Sequence, residues 1–177
     1  MSDDDGPQVP RVVVGVSGSL GSVTALYRGT AEARRRGAEL WPVLAWEPPG
    51  GELAARRSPA SDLMVDEWLR LARRQLAAVL NDVFGGGEPG VPLHALIVRG
   101  TPGRALVETA CREDDLLVVG AGRRGWHRAF SGWVTRYCLA HATCPVLAVP
   151  PSPLESELAS VHRRNTWRLR MDPRHVL

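Results

Sequence analysis

The sequence predicts an α/β protein of three layers, a five-stranded parallel sheet with helices on both faces. Three observations carry that prediction. Five short apolar runs read as buried strands. Four longer segments between them repeat apolar residues three or four apart, the spacing of a helix with one buried face. Glycine, serine and proline punctuate the junctions. Strands that alternate with helices run parallel, joined by right-handed crossovers.

At 177 residues the chain has the length of one domain with short tails. Residues 1–10, with three Asp and two Pro, are expected to be a disordered tail. Residues 11–150 form the folded domain and residues 151–177 a C-terminal extension, partly helical or disordered. All 22 basic side chains are Arg, which with the Ala, Gly and Pro content points to a GC-rich genome. The net charge of +3 is too small to argue for nucleic acid. No apolar run approaches a membrane span, and the acidic N-terminus is unlike a signal peptide. A cytoplasmic location is therefore expected, with no membrane partner.

In chain order, Arg11 to Val16 is the first strand. The loop Ser17-Gly18-Ser19-Leu20-Gly21-Ser22 leads into a helix from about Val23 to Arg36, with Leu26, Thr30 and Ala33 on its inner face and Gly37 at its end. Glu39 to Trp46 is the second strand; Pro42 within it predicts an edge position or a bulge. Residues 47–60 form a loop rich in Pro, Gly, Ala and Arg. Asp62 to Phe84 is the longest helix, with an apolar stripe from Val65 to Val83. Leu93 to Val98 is the third strand. Thr101 is placed to cap the next helix and Pro102 suits its first turn; that helix runs to about Cys111. The acids Glu108, Glu113, Asp114 and Asp115 read as solvated charges, since nothing places two of them in one cleft.

Leu116 to Val119 is the fourth strand, and the stretch around it carries the chemistry. Gly120, Gly122 and Gly125 follow at once, with Arg123 and Arg124 among them. A helix opens near Gly132 on Val134, Cys138 and His141, and Val146 to Val149 is the last strand. Glycine lets a backbone approach an anion closely, and a helix N-terminus offers N–H groups and a positive dipole end. No Asp or Glu lies between Asp115 and Glu155, while Arg123, Arg124, Arg128 and Arg136 do. The pattern suits an anionic ligand such as a nucleotide phosphate; a plain strand-to-helix turn beside a basic surface is the other reading it allows. A nicotinamide site is disfavoured, because its glycine fingerprint follows the first strand with an acid about 20 residues on. Cys111, Cys138 and Cys144 lack metal spacing and read as structural, Cys111 and Cys138 buried in helices and Cys144 before a proline at a strand entrance, and no metal site is expected. No Lys exists for a Walker loop.

This stretch resembles the universal stress protein family, whose signature is Gly, two residues, Gly, nine residues, then Gly followed by Ser or Thr. Gly122 and Gly132 keep the long spacing, and His141-Ala142-Thr143-Cys144-Pro145-Val146 matches the family's closing segment. The Val-x-Gly-x-Pro pattern before the helix at Pro102 agrees as well. The resemblance covers about residues 10 to 150. It implies a Rossmann-like fold of the adenine nucleotide alpha hydrolase type and ATP as ligand. It also implies a site at Gly15, Ser17, Ala45, Val119, Gly120, Gly122, Arg123, Gly125, Gly132, Trp133 and Val134. A homodimer paired through Val146–Val149 follows too, shortened by Pro150 and Pro151.

Three departures bear on the ligand. Only Ala121 separates Gly120 from Gly122, one residue short of the pattern. Ser17 replaces the family's Asp, an acceptor for ribose hydroxyls. Trp133 replaces the Ser or Thr that meets phosphate; indole has one N–H and no hydroxyl, and its bulk could fill the phosphate space or stack on a base. The resemblance therefore implies a regulatory or binding protein whose ATP affinity is weakened or lost. Two other classes stay open. One is an enzyme that has reused the fold in a specialised biosynthetic pathway, though no nucleophile, base and oxyanion set is assembled. The other is a protein-interaction module acting through the Arg-rich tail, where Arg163, Arg164, Arg168, Arg170 and Arg174 surround Trp167. The tail opens with a capping box, Ser152 to Glu155, ahead of a short helix.

Overall fold

A computed structural model describes residues 9–48, 61–121 and 132–152. The loop beyond Pro48, most of the glycine loop with Gly122, Arg123 and Gly125, the helix after the capping box and the Arg-rich tail lie outside the described residues.

Five strands form one sheet: β1 (Arg11–Gly15), β2 (Glu39–Trp46), β3 (Leu96–Arg99), β4 (Leu116–Gly120) and β5 (Val146–Val149). Every pairing is parallel, in the order β3-β2-β1-β4-β5. Four helices are described: α1 (Leu20–Arg36), α2 (Ser61–Phe84), α3 (Pro102–Thr109) and α4 (Trp133–His141). The predicted α/β architecture is the one observed.

Alternation along each strand sorts the core into two layers. Val12, Val14, Leu40, Leu44, Leu116 and Val118 face α1 and α2, where they meet Leu26, Ala33, Leu76 and Val79. Val13, Val43, Leu117 and Val119 face α3 and α4, where they meet Leu106, Ala110 and Cys138. A strand buried on both faces needs a continuous apolar run, which is why the runs in β1 and β4 do not alternate with polar residues. Helix α1 lies close on the sheet because Gly29 has no side chain: a Cβ there would sit 2.4 Å from Val14 Cγ2. It starts at Leu20, three residues before the predicted Val23, because Ser19 caps it and accepts from the Ser22 N–H. Gly37 ends it in the left-handed conformation, φ 61°.

Four expectations need correction. Pro42 is neither at an edge nor at a bulge; β2 pairs with β1 on one side and β3 on the other, and Pro42 is fully buried opposite Val14. The reason is hydrogen-bond parity. The Leu40 N–H reaches the Pro92 carbonyl, so the missing donor of Pro42 faces the β3 side. There the ladder lapses between the Leu40–Leu93 bridge and the pairing that resumes at Val43 with Leu96. The same gap explains why β3 begins at Leu96 rather than at the predicted Leu93. Thr101 stands at the N-cap of α3, but its side chain makes no capping hydrogen bond; Pro102 supplies the start. Cys111 lies beyond the end of α3 and is exposed, not buried.

Candidate functional site at the carboxyl edge of the sheet

Strand order reverses between β1 and β4: the chain moves outward through β2 and β3, then returns to the far side of β1. Such a switch leaves a crevice at the carboxyl ends of the two strands. Here the end of β4 meets the helix that follows β1. A Cβ on Gly120 would lie 2.9 Å from the Gly21 carbonyl oxygen and 3.1 Å from its carbon. The end of β4 therefore abuts the first turn of α1, backbone on backbone. The N-terminus of α4 comes to the same place, since Thr135 in its first turn donates to the Gly120 carbonyl at 2.8 Å. Two helix N-termini, each a positive dipole end without an acid in its first turn, so converge on one glycine.

The loop after β1 is held from two directions. Ser17 and Ser19 share a hydrogen bond between their hydroxyls at 3.0 Å. Gln75 of α2 donates through Nε2 to the Ser17 carbonyl at 3.0 Å. Its amide also lies over Gly18, which adopts φ +73°, a left-handed conformation that favours glycine. Ser17 is exposed and its hydroxyl stays within its own loop.

The structure gathers some of the expected residues and spends others on packing. Ser17, Gly120 and Gly132 stand around the crevice. Gly15 lies under α3, where a Cβ would come within 2.9 Å of Leu106 Cδ1. Val119 is buried in the α3 and α4 layer, and Val134 packs against that layer. Ala45 pairs with Val98 near the end of β2. Trp133 is the first residue of α4 and is 45% exposed. Its ring leans along the helix towards Tyr137, centroids 5.5 Å apart, and Tyr137 stacks on His141 at 4.1 Å. The indole thus opens a surface column of rings at spacing i, i+4, i+8; the glycine loop beside which it was expected to fill phosphate space lies outside the described residues. His141, expected to be packed, is exposed, and its Nδ1 pairs with the Tyr137 carbonyl.

Thr135, Gln75 and Arg99 escaped the sequence argument. Thr135 looks like an ordinary first-turn residue until the helix is placed over β4. Gln75 lies 58 positions from its partner Ser17. Arg99 ends β3 with its guanidinium 5.7 Å from the Trp46 ring, bringing a basic group beside Ala45 on the carboxyl edge. Among the described residues no group of three His, Cys, Asp or Glu is arranged to hold a metal ion.

A buried pair sits at the opposite, amino edge. Arg11 donates to Asp115 through Nε at 2.8 Å and through Nη2 at 2.6 Å. Asp115 also accepts from the Arg112 N–H at 3.0 Å, and Arg11 lies over Trp41 at 4.9 Å. Asp115 had been read as a solvated charge; at 1% exposure it is not. Its hydrogen bond raises the pKa of Arg11, against the lowering effect of burial.

The core beneath α4 holds Cys138, whose thiol is pushed up from 9.0 to about 11 by burial first and by nearby Cys144 second. A raised pKa means the folded chain keeps a proton that the unfolded chain releases between those values. The stability this represents is complete below pH ~9 and is lost as pH rises to about 11, at most about 2–3 kcal/mol. Urea denaturation at about pH 8 and about pH 10.5 is expected to show a smaller decline for Cys138→Ala than for the natural chain. An equal decline in both proteins would mean that the Cys138 thiol ionises as readily in the folded chain as in the unfolded one.

Parallel strands, helices on both faces and a glycine-lined switch define an α/β protein with its crevice at the carboxyl edge. The model of the universal stress protein family matches residues 9–150, and the chain belongs to that family. It is 32% identical over 154 residues to universal stress protein Rv2623 of Mycobacterium tuberculosis, covering 82% of this chain and 47% of that one. It is 30% identical over 152 residues to universal stress protein Mb2019 of Mycobacterium bovis, covering 83% and 46%. The chain thus spans about half the length of the curated relatives it matches. Among solved structures, a universal stress protein in complex with cAMP aligns at 28% identity and TM-score 0.51, over 81% of this chain and 98% of that one. A family member from Burkholderia pseudomallei aligns at 25% identity and TM-score 0.56, over 83% and 99%. Among the described residues no helix is long and apolar enough to cross a membrane.

Proposed function

We propose that this chain is a non-enzymatic regulatory or binding protein whose crevice at the β1–β4 switch takes an adenine nucleotide with weakened affinity. The observation that carries this reading is the contact of Gly120 with the first turn of α1, which brings two helix N-termini to one glycine. A solved relative holds cAMP, so the family accommodates an adenine nucleotide. The weakening rests on two side chains. Ser17 offers a hydroxyl already paired with Ser19 where a carboxylate would accept ribose hydroxyls. Trp133 offers no hydroxyl at the N-terminus of α4 and leans onto Tyr137. The remaining contacts fall to Gly132 and, outside the described residues, to Gly122, Arg123 and Gly125.

Calorimetric titration of ATP tests this. A hydrogen bond to a charged group contributes ~1.5–3 kcal/mol, so Ser17→Asp with Trp133→Ser is expected to tighten binding about 10- to 100-fold. Equal micromolar affinity of natural chain and variant would remove both departures from the explanation. Silence from both would mean that the shortened glycine loop no longer forms a cradle.

The sheet also supports a homodimer. Strand β5 pairs with β4 and ends the sheet among the described residues, so the reading places a second copy along its outer edge, within the four residues before Pro150. Sedimentation equilibrium of the purified chain is expected to return a dimer. A monomer at micromolar concentration would take this edge out of the reading and leave the tail beyond residue 152 as the surface to delete next.

A further inference from the structure

The three cysteines, expected to be inert packing residues, are arranged in a graded way. Cys111 is exposed, Cys144 is 7% exposed and Cys138 is sealed. The turn after α3 and the entrance to β5 lie side by side at the amino edge. Thr143 donates to the Cys111 carbonyl at 3.4 Å, and the Cys144 thiol donates to the Ala110 carbonyl at 3.7 Å. Carbonyl 110 belongs to the peptide unit that joins Ala110 to Cys111, so the Cys144 sulfur lies against the backbone that carries Cys111. Disulfides form between cysteines on neighbouring backbone segments, with α-carbons about 4.4–6.8 Å apart. The Arg11 guanidinium, anchored by Asp115, donates to the Thr109 carbonyl at 3.2 Å, two residues before Cys111. The exposed Cys111 thiol is open to oxidants from solution.

We propose that Cys111 is a peroxide-reactive thiol and Cys144 its resolving partner, so that oxidation joins the turn after α3 to the entrance of β5. In the first step the Cys111 thiolate attacks one oxygen of hydrogen peroxide. An S–O bond forms, the O–O bond breaks, and hydroxide leaves and takes up a proton as water. In the second step the Cys144 thiol loses its proton and attacks the Cys111 sulfur. The S–S bond forms, the S–O bond breaks, and hydroxide leaves with that proton as a second water. Two electrons pass from the sulfurs to the peroxide. The resulting loop encloses β4, α4 and the segment between them, the half of the molecule that carries Gly120 and Gly132. Cys138 lies inside this loop and takes no part, because peroxide cannot reach it.

The test is peptide mapping by mass spectrometry, without reductant, of the full chain before and after hydrogen peroxide. The expected product has lost two hydrogens and contains a single cross-linked peptide pair holding Cys111 and Cys144. In Cys144→Ala the cross-link is lost and Cys111 gains oxygen instead, trapped by a sulfenic-acid reagent. In Cys138→Ala the cross-link forms as before. A bridge that includes Cys138 would overturn the assignment. So would a covalent dimer through Cys111, or oxygen on Cys111 with Cys144 left as a thiol in the natural chain.

Discussion

Replacing Asp115 with Ala is expected to cost about 3–5 kcal/mol of folding stability, the largest effect of any single exchange considered for this chain. The carboxylate is buried and answers three donors: Nε and Nη2 of Arg11 and the backbone N–H of Arg112. Removing it leaves a guanidinium in the core with only the Thr109 carbonyl, at 3.2 Å, and the Trp41 ring for company. The cost is mainly that of an uncompensated buried charge, not the net worth of the pair. Exchanging both partners, Arg11→Met with Asp115→Leu, is therefore expected to recover much of the loss. Urea midpoints at constant slope measure both. If Asp115→Ala lost less than about 1 kcal/mol, Arg11 would have found water, and the pair would be a surface feature rather than a core one.

Replacing Gly120 with Ala is expected to cost about 1–3 kcal/mol and to abolish whatever nucleotide affinity the crevice has. The new methyl would lie 2.9 Å from the Gly21 carbonyl oxygen, and the neighbour is backbone in the first turn of a helix, which cannot swing aside as a side-chain tip can. Relief comes only by driving α1 and β4 apart, which opens the switch and strains the Thr135 hydrogen bond to the Gly120 carbonyl. The control is Gly21→Ala, because a Cβ on Gly21 meets nothing within 4 Å. That variant should fold as well as the natural chain. Equal stability of both variants would show that the contact between the two segments is looser than its geometry. Thermal melts, with the ATP titration repeated on each variant, read the two consequences separately.

The comparison of these sites shows where sequence alone loses its grip. The switch was partly legible because glycine and loop composition are local signals: Gly120 was expected where β4 ends at the switch, and it is found against the first turn of α1. The buried pair was written in the sequence too, in a form only the pairing decodes. Arg11 and Asp115 each precede an apolar strand, and with Val12 opposite Leu116 the two charges fall in register. Each charge, taken alone, looks like an ordinary solvated residue at a strand entrance. Gln75 and Thr135 give no local sign, because each is defined by a neighbour far along the chain.

What the sequence determined by itself was the alternation of elements, hence the parallel sheet, since the apolar period of a strand or helix is set by residues within a few positions of one another. Local chemistry likewise determined the helix stop at Gly37 and the glycine-lined end of β4. What only the tertiary structure decided was which strands are neighbours. From that followed the interior place of Pro42, the burial of Asp115, the exposure of Cys111 beside Cys144, and the turn of Trp133 onto Tyr137. These depend on which backbone donor is unneeded, which charge meets its opposite and which side chain has room. Each is a contact between segments the chain brings together only when it folds.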